Sequence, residues 1–268
     1  MAQFGADFGG SMPEHYDRIL GPAQFDAFAR DLALRLPARP PGDVLEIACG
    51  TGLVTRRLRE RLNAGVRLVA SDLSEAMLAY ARDKVRGDIE WRTADAANLP
   101  FPDASFGAVV CAFGIMFVPD KSRAFLEMRR VLREGGAVLF NVWDSLERNP
   151  HAKASCEAME SLFPGDKEMQ FARAPYSFHD RGLIGRLLEE AGFRTPRVDS
   201  VSVRIRSPSA REYASGSIKG TPRSLLVQQR GADLEQVIDR IGAALARVGG
   251  EKPFEVTGNA VVFQATAE

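Results

Sequence analysis

Two glycines and three carboxylates are spaced as parts of a single ligand site. In VLEIACGTG, residues 44–52, an apolar run enters a turn in which Gly50 and Gly52 flank Thr51. Glycine permits positive φ and close backbone approach, and the helix-like stretch that follows offers unpaired N–H groups to a negative ligand. Glu46 lies inside the apolar run, where a carboxylate is costly unless it meets a partner. A ligand ammonium would serve, as would the N–H groups of the turn if Glu46 is a structural acid. Asp72 follows Gly52 by 20 residues and ends the next apolar run, a place from which a carboxylate accepts hydrogen bonds from a ribose diol. Asp95, next to Ala96, sits just past the third run. Its carboxylate suits an adenine amino group or an Asx turn.

Phosphate binding fits this turn poorly. A dinucleotide fingerprint needs three glycines, yet Ala48 occupies the first place, and Val54 and Thr55 stand where the third should fall. A phosphate-binding P-loop would need a lysine before Ser or Thr, and none is present. For proton transfer the chain offers His15, His151 and His179, whose ordinary pKa suits neutral pH. His179 reads as a cap for the helix after it. His15 and His151 are the catalytic candidates, each with packing or surface placement as the competing reading. Trp143, closing the fifth apolar run, is either a pocket wall or core. Cys49 and Cys111 lack histidine partners at useful spacing and read as buried thiols, so no metal is expected. The arginines at 56, 57, 59 and 61 wind around a helix and read as a solvated surface.

The elements that must position these residues alternate. Val44–Ala48, Val66–Ser71, Ile89–Thr93, Phe106–Ala112 and Ala137–Val142 read as strands. Leu53–Leu62, Ser74–Lys84 and Lys121–Arg133 carry the three-and-four spacing of amphipathic helices. Ser74 reads as an N-cap, and Gly135–Gly136 as a helix stop. Such alternation points to a parallel sheet covered on both faces. Right-handed crossovers then gather the strands' carboxyl ends on one edge, where ligands bind. Every acid named above falls just inside or after a strand, at that edge. Further on, Asn149–Phe163 and Asp180–Ala191 read as helices, with Gly192 as stop, and Arg197–Ile205 and Glu255–Thr266 as strands. The less regular pieces, 10–36, 145–178 and 207–250, are expected to form a lid or substrate cap on one domain spanning residues 1–268.

Composition narrows the partners. Lys plus Arg and Asp plus Glu both number 35, which argues against a strongly basic nucleic-acid binder. No apolar stretch approaches the roughly 18 residues of a membrane span, and residues 1–20 show no secretory signal pattern. Three scattered cysteines fit a reduced cytoplasm.

Taken together, VLEIACGTG, the acid of ASDLSEAML, TADAANLPFPDASFGAVV, CAFGIMFVPD and LREGGAVLFNVWD resemble the class I S-adenosylmethionine-dependent methyltransferases. The nearest branch is the type 11 group that includes ubiquinone/menaquinone C-methyltransferases. The resemblance covers roughly Val44 to Asp144, five segments in order. It implies a Rossmann-like α/β fold, a seven-stranded doubly wound sheet with its last strand antiparallel. It also implies S-adenosyl-L-methionine as cofactor and methyl transfer to oxygen, carbon or nitrogen of a small molecule. By position, Glu46, Ala48, Gly50, Thr51 and Gly52 would meet the methionyl part, and Asp72 the ribose. Leu73 and Met77 would lie beside the adenosine, Asp95 and Ala96 at the adenine, and Ala112 and Phe113 along the sulfonium. The segment holding His15 and Tyr16 folds over the cofactor in similar enzymes, which makes Tyr16 a candidate contact. Ala48 stands where the family often has glycine. The glycine turn is thus expected to receive the amino-acid end of the cofactor. The expected partner is a small-molecule acceptor, with no nucleic acid or membrane and room for a homodimer. The competing readings are an RNA or protein methyltransferase, a nucleotide-dependent oxidoreductase, and a non-catalytic binder of the same cofactor.

Overall fold

Short, buried strands build the centre of the computed structural model, which describes residues 9–37 and 40–268. Residues 1–8, part of the segment read for a secretory signal, lie outside the described residues. The chain begins with α1 (Met12–His15), a π-helical stretch Tyr16–Phe25, and α2 (Asp26–Arg35). The alternating half follows as β1 (Val44–Ile47), α3 (Leu53–Arg61), β2 (Leu68–Asp72), α4 (Glu75–Lys84), β3 (Glu90–Thr93), β4 (Phe106–Ala112), α5 (Lys121–Val131) and β5 (Leu132–Trp143). The rest comprises α6 (Pro150–Leu162), a 3-10 stretch Met169–Tyr176, α7 (Arg181–Glu190), β6 (Arg197–Ser207), α8 (Ala210–Lys219), α9 (Arg223–Gln229), α10 (Leu234–Gly249) and β7 (Phe254–Thr266).

The seven strands lie in the order β3-β2-β1-β4-β5-β7-β6. β1 to β5 pair in parallel, and β7 runs antiparallel to both β5 and β6. This is the doubly wound, Rossmann-like sheet that the alternation and the resemblance implied. β1 and β2 are buried at every residue and β4 at all but its last, as strands covered on both faces must be. One face packs Leu45, Ile47, Val109 and Phe140 against Phe125, Met128 and Phe263. Strand order reverses between β1 and β4, which opens a crevice at their carboxyl ends.

Local signals set most boundaries. The Ser74 hydroxyl accepts from Met77 N–H as an N-cap, and Gly192 stops α7 at φ +88°. Two expectations need correction. The Gly135–Gly136 pair does not end a helix running to Arg133: α5 stops at Val131, and Leu132 already pairs with Phe106 in the sheet. A register shift follows, with Gly135 at φ +71°, so the glycines form a bulge inside β5. Nor does His179 cap α7. The carboxylate of Asp180 does so, accepting from Leu183 N–H at 2.8 Å.

The three irregular segments converge. Leu20 and Ala23 from the first, Met159 and Met169 from the second, and Tyr213, Ile218, Val227, Ile241 and Leu245 from the third share a second apolar cluster with Ile205 and Phe254. They stack a helical layer beside the sheet's carboxyl edge. Among the described residues, no helix is long and apolar enough to cross a membrane.

Candidate functional site

The crevice is built from the turns that leave β1, β2, β3 and β4. After β1 the chain turns sharply, with Gly52 N–H donating to the Cys49 carbonyl at 2.9 Å and Cys49 N–H to the Ser71 carbonyl at 3.0 Å. Gly50 and Gly52 hold φ of +56° and +82°. A Cβ on Gly50 would meet nothing within 4 Å, so the space above it is open. At Gly52 a Cβ would run into Val85, which is why that position cannot carry a side chain. Ala48, also left-handed at φ +53°, keeps its methyl because residue 114 is glycine: a Cβ there would collide with it.

Asp72 ties two of these turns together. One oxygen accepts from Gly50 N–H at 2.7 Å and the other from Ser74 N–H at 2.9 Å. Burial raises its pKa, against the opposing pull of those N–H groups. Glu46 stands deeper, between Ala70 and Val110 of the flanking strands. It is 1% exposed, and burial pushes its carboxyl up to about 8, with nearby Thr55 offsetting part of the shift. Even so, Glu46 Oε2, Thr51 Oγ1 and Thr55 Oγ1 lack hydrogen-bond partners among the described residues. Buried polar groups are nearly always paired, so the free Glu46 and Thr51 oxygens, with Thr55 close to Glu46, make this turn a candidate polar-ligand site. Burial also pushes the Cys49 and Cys111 thiols up, Cys111 to about 12, which leaves them uncharged.

The other predicted residues line the same edge. Leu73 follows β2 and is 36% exposed although apolar, while Met77 is buried on the first turn of α4. Asp95 and Ala96 follow β3, where one Asp95 oxygen accepts from Ala97 N–H at 2.9 Å in an Asx turn. Ala112 closes β4. Phe113, at φ +53°, is gripped by Asn141, whose side-chain oxygen accepts from Phe113 N–H at 2.9 Å. Tyr16 reaches the edge from above, its phenol raised by burial first and then by the charge of Asp72. It starts an aromatic wall: Tyr16 stacks on Phe25 at 4.9 Å, Phe113 on Trp143 at 4.1 Å, and Trp143 on Tyr176 at 5.7 Å.

The two candidate histidines are not brought together. His15 ends α1 with Nδ1 buried and unpartnered. His151 lies on α6, 2% exposed, edge-on to the Tyr213 ring at 6.0 Å. Both His151 nitrogens lack partners, and burial lowers its pKa to about 4. Sequence reasoning passed over Asn141 and Asn149. Asn149 donates to the Asp144, Ser145 and Asn259 carbonyls and accepts from Asn259 N–H, pinning the loop after β5 to β7. The available signal for Asn141 was a polar residue within the apolar run AVLFNVW, the pattern that exposed Glu46.

A family model described as a methyltransferase domain, of type 11, matches residues 45–140, the span holding every one of these turns. Residues 45–140 thus match the class I, type 11 methyltransferase family. S-adenosylmethionine is the methyl donor of that family. Curated relatives include the ubiquinone/menaquinone biosynthesis C-methyltransferase of Pseudomonas savastanoi pv. phaseolicola. It is 32% identical over 190 residues, 69% of this chain and 63% of that protein. The enzyme of the same name from Idiomarina loihiensis is 43% identical over 101 residues, 36% of this chain and 40% of that one. The chain therefore spans less than two thirds of the length of these relatives. Among solved structures, phosphoethanolamine N-methyltransferase 2 of Haemonchus contortus, in complex with S-adenosyl-L-methionine, aligns with a TM-score of 0.59. At 18% identity, over 95% of this chain and 56% of that one, it shares the fold.

Proposed function

We propose that the chain transfers the methyl group of S-adenosylmethionine to a small-molecule acceptor by in-line displacement. One observation carries this reading: the buried Glu46 carboxyl with an unpartnered oxygen, beside the unpartnered Thr51 and Thr55 hydroxyls and the open space over Gly50. An ammonium group placed there would hold Glu46 ionised and complete the site. The α3 amino end and the turn's N–H groups would face the adjoining carboxylate.

The remaining assignments follow the edge outward. Asp72 has lone pairs left on both oxygens for a ribose diol. Leu73 and Met77 would sandwich the nucleoside, and Asp95 with Ala96 would meet the adenine edge. Ala48, Ala112 and Phe113 would run along the sulfonium, under Tyr16. When bound, the cofactor supplies an already activated methyl group. The chain's own task is alignment, which can contribute several kcal/mol, on the order of 7–11 in favourable cases. Phe25, Phe113, Trp143 and Tyr176 exclude water from the approach. Where the acceptor must lose a proton, His15 and His151 are the candidate bases, and His151 is unprotonated throughout the neutral range. The segments 10–36, 145–178 and 207–250 form the acceptor cap, sharing one apolar cluster. The names of the curated relatives favour carbon as the acceptor atom. Three free, buried cysteines suit a cytoplasmic place.

Calorimetry with S-adenosylmethionine, S-adenosylhomocysteine and NAD tests the reading. The first two should bind and NAD should not. Asp72→Asn should weaken both at least tenfold with the fold intact by circular dichroism. Binding of NAD alone, or unchanged affinity in the variant, overturns the assignment.

A further inference from the structure

Trp143 stacks on Tyr176, which lies with His151, Ser155, Tyr213 and Arg223 in a group of polar side chains that the cofactor assignment leaves unused. On α6, His151 and Ser155 lie four residues apart, both buried, so they share a face of the helix. Tyr176 stacks on Trp143, and Tyr213 meets His151. Arg223, at the start of α9, donates to the Ser155 hydroxyl at 3.1 Å.

The hydrogen-bond accounting of this cluster does not close. Both His151 nitrogens are buried and unpartnered. Tyr213 donates to the Gln24 side chain, which leaves its hydroxyl partnered while the imidazole beside it is not. Nor does Arg223 form an ion pair among the described residues. Its half-buried counterparts Arg35, Arg57, Arg130, Arg173 and Arg230 each grip a carboxylate. Glu160 on α6 is already held by Arg173 through two hydrogen bonds of 2.5 and 2.9 Å. Arg223's charge reaches Tyr176, Tyr213 and Cys156, lowering each where burial raises it. Arg223 thus lies beside Ser155, Tyr176 and Tyr213 and grips no carboxylate of its own among the described residues.

We propose that this cluster is the acceptor subsite, and that it selects a small acceptor bearing a carboxylate, gripped by Arg223 with Ser155 beside it. The planar guanidinium matches a carboxylate bidentately. A single cation suits a monoanion rather than a phosphate dianion. The acceptor's body would lie between Tyr176 and His151, so its free end points past Trp143 toward the methyl group. This rests on the methyl-transfer reading, and the test keeps the two apart.

The probes are benzoate, cinnamate and hexanoate, each paired with its neutral amide and titrated into the S-adenosylhomocysteine complex. At least one carboxylate should bind ten times tighter than its amide. Arg223→Met should abolish that preference, and Arg223→Lys should restore part of it. Both variants should bind S-adenosylhomocysteine within twofold of wild type, which shows that the cap still folds. No carboxylate preferred over its amide, or a preference that survives in Arg223→Met, overturns the proposal. Failure of S-adenosylhomocysteine to bind wild type would instead refute the cofactor reading.

Discussion

Glu46 makes the sharpest prediction, because its two roles have opposite pH signatures. In the free protein its carboxyl titrates near 8, against an ordinary value of 4.5. A raised carboxyl binds more protons folded than unfolded between those values, so stability falls as pH rises from 4.5 through 8. From the two values, the loss between pH 5 and pH 9 is about 4 kcal/mol, to order of magnitude. Glu46→Gln removes the titrating group and should flatten the profile by that amount in denaturant titrations. Ligand binding supplies the second signature. At pH 7 the carboxyl is about nine-tenths protonated in the free protein, and an ammonium beside it requires the carboxylate. Binding of S-adenosylhomocysteine should therefore release about 0.9 proton from the carboxyl at pH 7, read by calorimetry in buffers of different ionisation enthalpy. In Glu46→Gln that release should vanish and affinity should drop roughly ten- to a hundredfold through loss of a charged hydrogen bond. Parallel stability profiles in the two proteins, or equal proton counts, would refute the protonated state and the ammonium contact alike.

Two further outcomes follow from the same geometry. Gly114→Ala should destabilise by about 1–3 kcal/mol through collision with the Ala48 methyl, and Ala48→Gly in the same chain should recover much of it. Additive losses in the double-mutant cycle would show that the two residues do not share that space. His151, lowered to about 4 from 6.5, binds fewer protons folded than unfolded, so stability should fall as pH drops from 6.5 to 4. The loss is about 3 kcal/mol to order of magnitude, and His151→Gln should abolish it; an unchanged acid profile in the variant would contradict the buried neutral imidazole.

Where the sequence was legible, the determinants were local. Val44–Ile47 and Phe106–Ala112 are apolar runs long enough for a strand and too short for a helix, and both are strands. Ser74 caps α4 because the hydroxyl and the apolar periodicity behind it lie within one turn. The opaque parts depend on distant partners. β5 begins at Leu132 because Phe106 lies opposite it, a fact that residues 121–136 do not contain. Asn149 acts through Asn259, 110 positions away. Arg223 is one of 35 Lys and Arg residues, and only the folded chain brings it to Ser155 on α6, 68 positions away. The same division holds for the site. The acids and glycines of the rim follow strands directly and are spaced by the fold's own period, whereas the cap is assembled from three separated segments.

That contrast has a mechanical consequence. Ala48 and Phe113 follow β1 and β4, the adjacent strands on either side of the order reversal, and both are left-handed non-glycine residues. Such conformations cost on the order of 1–3 kcal/mol each and persist only where the surroundings fix them. Here the fixing is visible: Gly114 leaves room for the Ala48 methyl, and Asn141 holds Phe113 N–H from the next strand. Two of the three left-handed non-glycine residues among those described thus lie in the rim, the third being Ala104 before β4. The proposed cap is pinned to β7 at Asn149 but otherwise meets the rim through ring contacts of Phe25 with Phe113 and Trp143 and of Tyr176 with Trp143, which can slide without breaking hydrogen bonds. Under the proposed function, a rigid rim would fix where a methyl group is presented, and an adaptable cap would fix what is presented to it. Substitutions that change the acceptor should then fall in α6, α8, α9 and the 169–176 stretch, and leave the glycine turn untouched.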